Sequence, residues 1–343
     1  MKRNIVIVTL VCVFIGLLPF RGQAQLSVGE EQRKLAQSGL KFLSLTTDPR
    51  AAGMGDAVTS LEWGSQAMFF NPAGMSRFDG YTNVSLGYID WIADIQYNFA
   101  TAAFRPARGR YGVFGVNVLA VDYGDMQATI RADTDEGFID IGTFKPTAFA
   151  VGVGYANAIT ERFAVGGNVK FVNQNLGASV LRIEDGDQVK TDNKVNVVAF
   201  DFGVLYNVGF RSLNFAMSVR NFSQEIRYEE ELFQLPLTFR IGLSVNMMDI
   251  FNRHESPHQL IVSVDAERPR DYYEQLKVGG EYTFYNTLSL RAGYVFPSDE
   301  EGISLGVGLQ QALSGYHLGV DYAYSSFGIF SNVHRFSLQF SFK

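Results

Sequence analysis

The sequence predicts an all-β fold, a transmembrane antiparallel β-barrel of about 14 strands. Three observations carry that prediction. The ten residues before Lys343 alternate without a break, with Phe336, Leu338, Phe340 and Phe342 set against Arg335, Ser337, Gln339 and Ser341, and successive side chains of a strand point to opposite faces. Alternating stretches of about ten residues recur along most of the chain, the signature of strands with one face to lipid and one to water. The connections between them are mostly short in one direction and include the longest in the other, as in bacterial barrels with tight periplasmic turns and long outer loops.

In chain order, the amino terminus comes first. Met1-Lys2-Arg3-Asn4 precedes an apolar run from Ile5 to Leu18, and small residues at Gly22 and Ala24 lead to Gln25. This is the pattern of a secretory signal peptide, residues 1–24, cleaved after Ala24. The run is too short for a spanning helix, which needs roughly 18 to 20 apolar residues. Residues 25–80 alternate little and hold many small residues, which sets them apart from the barrel segment 81–343. In the latter, strands are expected at 81–89, 94–105, 110–123, 147–156, 162–175, 195–207, 213–221, 238–246, 258–268, 273–282, 287–295, 302–311, 315–324 and 333–342. If the first rises from the periplasm, the inward turns fall near 106–109, 157–161, 208–212, 247–257, 283–286 and 312–314. The three longest connections, near 124–146, 176–194 and 222–237, then face outward, and both termini lie on the periplasmic side. Signal peptide and barrel together place the protein in a bacterial outer membrane.

Composition excludes several classes of function. Loss of Lys2, Arg3 and Arg21 with the signal leaves 26 basic against 35 acidic residues, a net charge of −9, which argues against nucleic acid as a partner. The one cysteine, Cys12, lies inside the signal, so the mature chain has neither disulfides nor thiol chemistry. The 29 phenylalanines, 16 tyrosines and 34 glycines suit strands whose outer face meets lipid and whose ends sit at the headgroups. A soluble β-sandwich or solenoid with an aromatic core is the competing reading. Near-neutral mean hydropathy favours the barrel, because half of each strand faces water.

Three segments do not fit simple alternation. Asp48-Pro49-Arg50-Ala51-Ala52-Gly53-Met54-Gly55-Asp56-Ala57 is followed by Ala67-Met68-Phe69-Phe70-Asn71-Pro72-Ala73-Gly74-Met75, and Trp91-Ile92-Ala93-Asp94-Ile95-Gln96-Tyr97-Asn98-Phe99 joins the first two strands. Gly53, Gly55 and Gly74 permit close backbone approach, Asn71 can bond nearby backbone, and Pro72 fixes φ, which together read as structural turns before ligand contacts. Gly53-Met54-Gly55 is not a dinucleotide loop, since no strand precedes it and no third glycine follows at the required place. Over residues 39–105 these segments resemble the PorV/PorQ family of outer-membrane proteins, which is in turn similar to the FadL class of fourteen-stranded transporters. The resemblance implies that residues 25–80 form a hatch inside the barrel, seated by Asn71-Pro72-Ala73, with Trp91, Asp94 and Tyr97 marking the family-like first hairpin. It also implies a part in type IX protein secretion, docking to the translocon or binding secreted cargo. The alternative it carries is passive passage of hydrophobic small molecules such as long-chain fatty acids, for which lumen-facing Phe or Leu beside Arg50 or Arg77 would be the sign.

Other candidates for chemistry are weaker. His254 and His258 are four apart but flank Ser256 and Pro257, where helical alignment of two metal ligands fails. Asp133, Asp135, Glu136 and Asp140, and separately Glu184, Asp185 and Asp187, could hold calcium, but neither cluster has the spacing of a known loop and both read as solvated charge. His317 is the only strand histidine placed to serve as a base for a serine nucleophile. No catalytic residue, metal or cofactor is therefore expected. The expected partners are outer-membrane lipid, a secretion-related protein and, in the alternative, a hydrophobic ligand.

Overall fold

The computed structural model describes residues 38–184, 187–228, 231–251, 257–298, 301–330 and 332–342. The signal peptide 1–24, the stretch 25–37, Asp185 and His254 lie outside the described residues, as do the side chains of Glu184 and Asp187.

Fourteen strands close into one antiparallel barrel. They are β1 (Thr82–Asp90), β2 (Gln96–Phe104), β3 (Val113–Asp122), β4 (Thr147–Ala158), β5 (Phe163–Glu184), β6 (Asp187–Asn207), β7 (Asn214–Ser223), β8 (Thr238–Asn246), β9 (His258–Pro269), β10 (Gln275–Phe284), β11 (Leu288–Phe296), β12 (Ile303–Leu313), β13 (Tyr316–Ser325) and β14 (Val333–Phe342). Their order around the ring is their order in the chain, and the seam pairs β1 with β14 from Thr82↔Phe342 to Asp90↔His334. Alternation sorts the side chains as the pleat requires. On β14, Leu338 is 47% exposed on the outside while Arg335 is 1% exposed within. Fold class and strand number agree with the sequence-based expectation.

The long connections differ from it. Residues 176–194 are not a loop, because β5 and β6 go on pairing past the barrel to Glu184↔Asp187, with register shifts at Asn175/Ala178 and Val180/Arg182. A ribbon beyond the wall has no lipid-facing side to keep apolar, so no apolar/polar period is required of its sequence. Likewise the β3–β4 connection folds as a hairpin of Met126–Arg131 with Phe138–Phe144, and the β7–β8 connection as a short ribbon, Ile226–Arg227 with Leu232–Phe233. The three lie side by side on the ring and are tied together. The Gln174 amide donates to the Tyr123 hydroxyl (3.2 Å), the Tyr228 hydroxyl donates to Gln174 (2.7 Å), and Tyr228 stacks on Phe233 at 5.3 Å. The rim at this end is therefore raised on one side.

A ring of about eight strands is filled by its own side chains, whereas fourteen leave a lumen. Residues 38–80 run through it from end to end. At the long-loop end Ser38 bridges to Gln234, and Ser38 and Lys41 (2.7 Å) bond Asp271 in the β9–β10 connection. At the short-turn end Arg77 donates to the Thr160 carbonyl (3.2 Å), Arg105 to the Phe78 carbonyl (2.7 Å), and Tyr81 N–H to the Phe342 carbonyl (2.7 Å). The expectation for the amino terminus itself lies outside the described residues. The start of β1 and the end of β14 share the short-turn end, whereas the first described residue, Ser38, sits at the opposite end. The cause is the lumenal path itself, which consumes the full height of the barrel before β1 begins.

Candidate functional site

The lumenal segment is built from short caps and close approaches. Asp48 caps the helical turn Pro49–Gly53 by accepting from Arg50 N–H (2.7 Å), with Pro49 at the first position where its missing N–H costs nothing. The turn then lays its backbone on glycines of the wall. A Cβ on Gly55 (φ 58°) would stand 2.6 Å from the Tyr294 nitrogen, and one on Gly293 would run into Met54 and Gly55. Gly53 lies on Gly306 in the same way.

Buried charges flank this contact on both sides. Arg50 donates twice to Glu281 (2.8 and 2.6 Å), and Arg291 links Glu281 (2.6 Å) to Asp321 (2.5 Å), which also accepts from Gln339 (2.9 Å). A second cluster joins Asp56 to Arg240 (2.6 Å) and Lys277 (2.7 Å), and both of these to Glu267. Beyond it, Thr59 N–H donates to Asp265 (2.9 Å) and Ser244 to the Ser60 carbonyl (3.1 Å). Breaking such a pair leaves an uncompensated buried charge, at a cost of about 3 to 5 kcal/mol. The clusters therefore hold the segment in one place.

The second motif anchors to the opposite wall. The Asn71 side-chain oxygen accepts from Ala73 N–H (3.1 Å), while its amide nitrogen donates to the carbonyls of Thr59 (2.8 Å) and Val204 (3.1 Å). Pro72 opens the 3-10 turn Pro72–Arg77, Ala73 is fully buried, and Gly74 receives Trp63 through its carbonyl (2.9 Å). A Cβ on Gly203 of β6 would collide with the Asn71 oxygen. So Gly53 and Gly55 meet β11 and β12, whereas Asn71, Pro72 and Ala73 meet β5 and β6, and Gly74 lies against Leu61 and Ala67 of the segment itself. The structure does not bring the six together; they are two anchor points of one segment.

Trp91, Asp94 and Tyr97 occupy the β1–β2 connection and the start of β2. Trp91 packs edge-on against Phe327 (4.9 Å) and Tyr97 (6.2 Å), and the Arg335 guanidinium lies 5.5 Å from its ring. Arg335 also donates to the Thr46 carbonyl (3.0 Å), so Trp91 links the first hairpin, the closing strand and the lumenal segment. Asp94 is an exposed turn residue with φ 57°.

Arg50 and Arg77 are both engaged. Arg50 pairs with Glu281 and lies 5.1 Å from the Trp63 ring, and Arg77 pairs with Glu62 (2.7 Å). The apolar-plus-cation arrangement occurs elsewhere, between the segment and the wall, where Leu43, Leu45, Phe69 and Leu119 line a cavity with Lys170 and Arg220. Lys170 pairs with Asp201 (2.8 Å), while Arg220 donates to the Leu43 carbonyl (3.3 Å) and lies 5.8 Å from the Phe70 ring. The cavity is about 20 Å³, room for one water. A wider recess of about 640 Å³ opens at the long-loop end beside Ser38, Tyr228 and Phe233. Burial alone would raise the Asp271 carboxyl there, but Lys41 and Ser38 hold it below the usual range.

His258 bonds the Tyr282 hydroxyl (2.5 Å) and stacks on Tyr282 at 5.8 Å, and His317 lines a recess of about 180 Å³ with Asn83, Gln310 and Gln339 at the short-turn end. Asp140 lies on the exposed Phe138–Phe144 strand and bonds Gly142 N–H (2.9 Å). Arg240 and Arg291 stand at strand positions that a membrane-facing surface would not accept, but sequence reasoning did not connect them, or Glu267, Lys277, Glu281, Gly203, Gly293 and Gly306, to the segment they receive. Their signal is charge or glycine at inward-facing strand positions, where a water-filled lumen would be content with serine or asparagine.

Comparison with known proteins bears on this architecture at two levels. Among solved structures the chain is similar to the Ralstonia pickettii toluene transporter TbuX, at 13% identity over 86% of this chain and 98% of that one with a TM-score of 0.58. It is similar also to the Pseudomonas putida toluene transporter TodX (13%, 86% and 97%, 0.56) and to a Pseudomonas aeruginosa FadL homologue (13%, 87% and 98%, 0.53). At such identities the likeness shows the fold, that of an outer-membrane barrel. No curated protein sequence matches the chain. Residues 140–340 match the family described as type IX secretion system membrane protein PorP/SprF, a stretch covering more than half of the chain, and the protein belongs to that family.

Proposed function

We propose that this protein is a non-enzymatic part of type IX secretion, which docks a translocon subunit or a secreted protein on its raised outer rim while residues 25–80 serve as a hatch. The observation that carries this reading is the contrast between lumen and rim. The lumen is filled by a segment bound through buried charges, whereas Met126, Phe138, Ile139 and Ile141 are each more than a third exposed on a ribbon beyond the barrel wall. Exposed apolar groups above the lipid fit a protein interface. The finer affinity with PorV/PorQ rests on residues 39–105, which precede the matched stretch 140–340, with Asn71-Pro72-Ala73 as the seat of the hatch. A signal peptide cleaved after Ala24 delivers the chain.

The test is cross-linking in intact cells followed by gentle solubilisation. A large translocon subunit or a secreted protein is expected to co-isolate, and deletion of residues 127–143 to abolish this without altering barrel formation. Isolation alone, with binding of radiolabelled long-chain fatty acid at micromolar concentration, overturns docking in favour of transport. One observation supports that second reading, the Leu43–Phe69–Leu119 cavity with Arg220 beside it; at about 20 Å³ it admits such a ligand only if the hatch moves.

A further inference from the structure

The direction in which the lumenal segment crosses the barrel has a consequence for what the cell surface presents. Its upstream end is held by connections at the long-loop end: Gly39 N–H donates to the Gln234 carbonyl (3.0 Å), and Lys41 pairs with Asp271 (2.7 Å). Its downstream end is held by the β4–β5 and β2–β3 turns through Arg77 and Arg105. In a bacterial barrel the long connections face the medium and the short turns the periplasm. The grip is also uneven. Between Asp48 and Asn71 the segment is fastened by buried ion pairs and backbone bonds, whereas at the top the Asp271 carboxylate serves both Ser38 and Lys41, and the Lys41 side chain is 58% exposed. Exposed pairs contribute little.

We propose that the lumenal segment is threaded from the cell surface inward, so that Ser38–Ser44 form part of the surface face beside the raised rim. The upstream end then lies beside the 640 Å³ recess of Tyr228, Phe233 and Gln234, while the covalent attachment to β1 stays on the periplasmic side. The inference rests on the long-loop end being the cell-surface end.

Single cysteines read by a membrane-impermeant maleimide on intact cells test both points. In a Cys12→Ser background the chain has no other cysteine. Asp135→Cys and Asn286→Cys report barrel orientation, the first at the long-loop end and the second in an inner turn. Lys41→Cys and Ser44→Cys report the upstream end of the segment, and Glu62→Cys the downstream part. Labelling of Asp135→Cys, Lys41→Cys and Ser44→Cys on intact cells, with Asn286→Cys and Glu62→Cys labelled only after permeabilisation, is the expected pattern. If Asp135→Cys is labelled but both Lys41→Cys and Ser44→Cys are not, the threading is wrong and the orientation stands. If Asn286→Cys is labelled and Asp135→Cys is not, the orientation itself is wrong and the inference falls with it. Heat-modifiable gel mobility confirms folding of each variant before labelling.

Discussion

At the scale of single residues, the charges inside the lumen differ sharply in worth. Arg240 is 2% exposed and serves both Asp56 and Glu267. Arg240→Ala leaves two buried carboxylates short of a partner, and a loss of about 3 to 5 kcal/mol is expected. Arg77 pairs with a half-exposed Glu62, and Arg77→Ala is expected to cost under about 1 kcal/mol. Urea midpoints of the refolded barrel in lipid distinguish the two. Asp271 adds a pH dependence. Its carboxyl is held below the ordinary value, so its stabilising contribution is complete above the unfolded value, about pH 4, and is lost as pH falls through the folded one. Protection of the Gly39 amide, measured by hydrogen exchange and corrected for intrinsic rate, should be unchanged from about pH 7 to 5 and fall away below about pH 4. The pairs that cross the lumen, Arg240 with Asp56 and Asp271 with Lys41, could not be read from sequence, because they join residues 184 and 230 positions apart. What was legible was the local chemistry of Asn71 and Pro72, since a cap needs only its neighbours.

At the scale of elements, lipid is the solvent that made the wall readable. Leu338 pairs with Leu86 and Val320 and points outward, whereas Phe342 pairs with Thr82 and Tyr316 at the strand's end. Leu338→Arg is accordingly expected to cost about 2 to 4 kcal/mol and Phe342→Arg about 0 to 1, because the penalty for charge falls from midplane to interface. Equal costs in the same refolding assay would mean that β14 sits differently in the bilayer. The ribbons beyond the wall are not marked in the sequence for the converse reason: Met126–Arg131 is exposed or half-exposed throughout, with no buried face to set a period. Wall glycines were visible but mute. Gly203 and Gly293 look like any other strand glycines until the segment that lies on them is known.

At the scale of the whole molecule, a fourteen-strand ring could conduct, and its filling decides whether it does. With the segment bonded to β6, β8, β9, β10 and β14, the intact protein is expected to show no sustained open-pore current in planar bilayers with concentrated KCl. Gly293→Leu, which displaces the backbone at Met54 and Gly55, should produce frequent openings. Steady conduction by the unaltered protein would show that the segment leaves a path. The same web of bonds constrains biogenesis. A wall that curled shut around an empty interior would leave Glu281 without Arg50, and Arg240 and Lys277 without Asp56, and a ring already sealed along β1 and β14 offers no sideways route for the missing piece. Curling of the sheet and packing of its contents must then be a single event, so the insertion machinery of the membrane has to receive this chain with residues 38–80 already lying in the concavity of the nascent sheet.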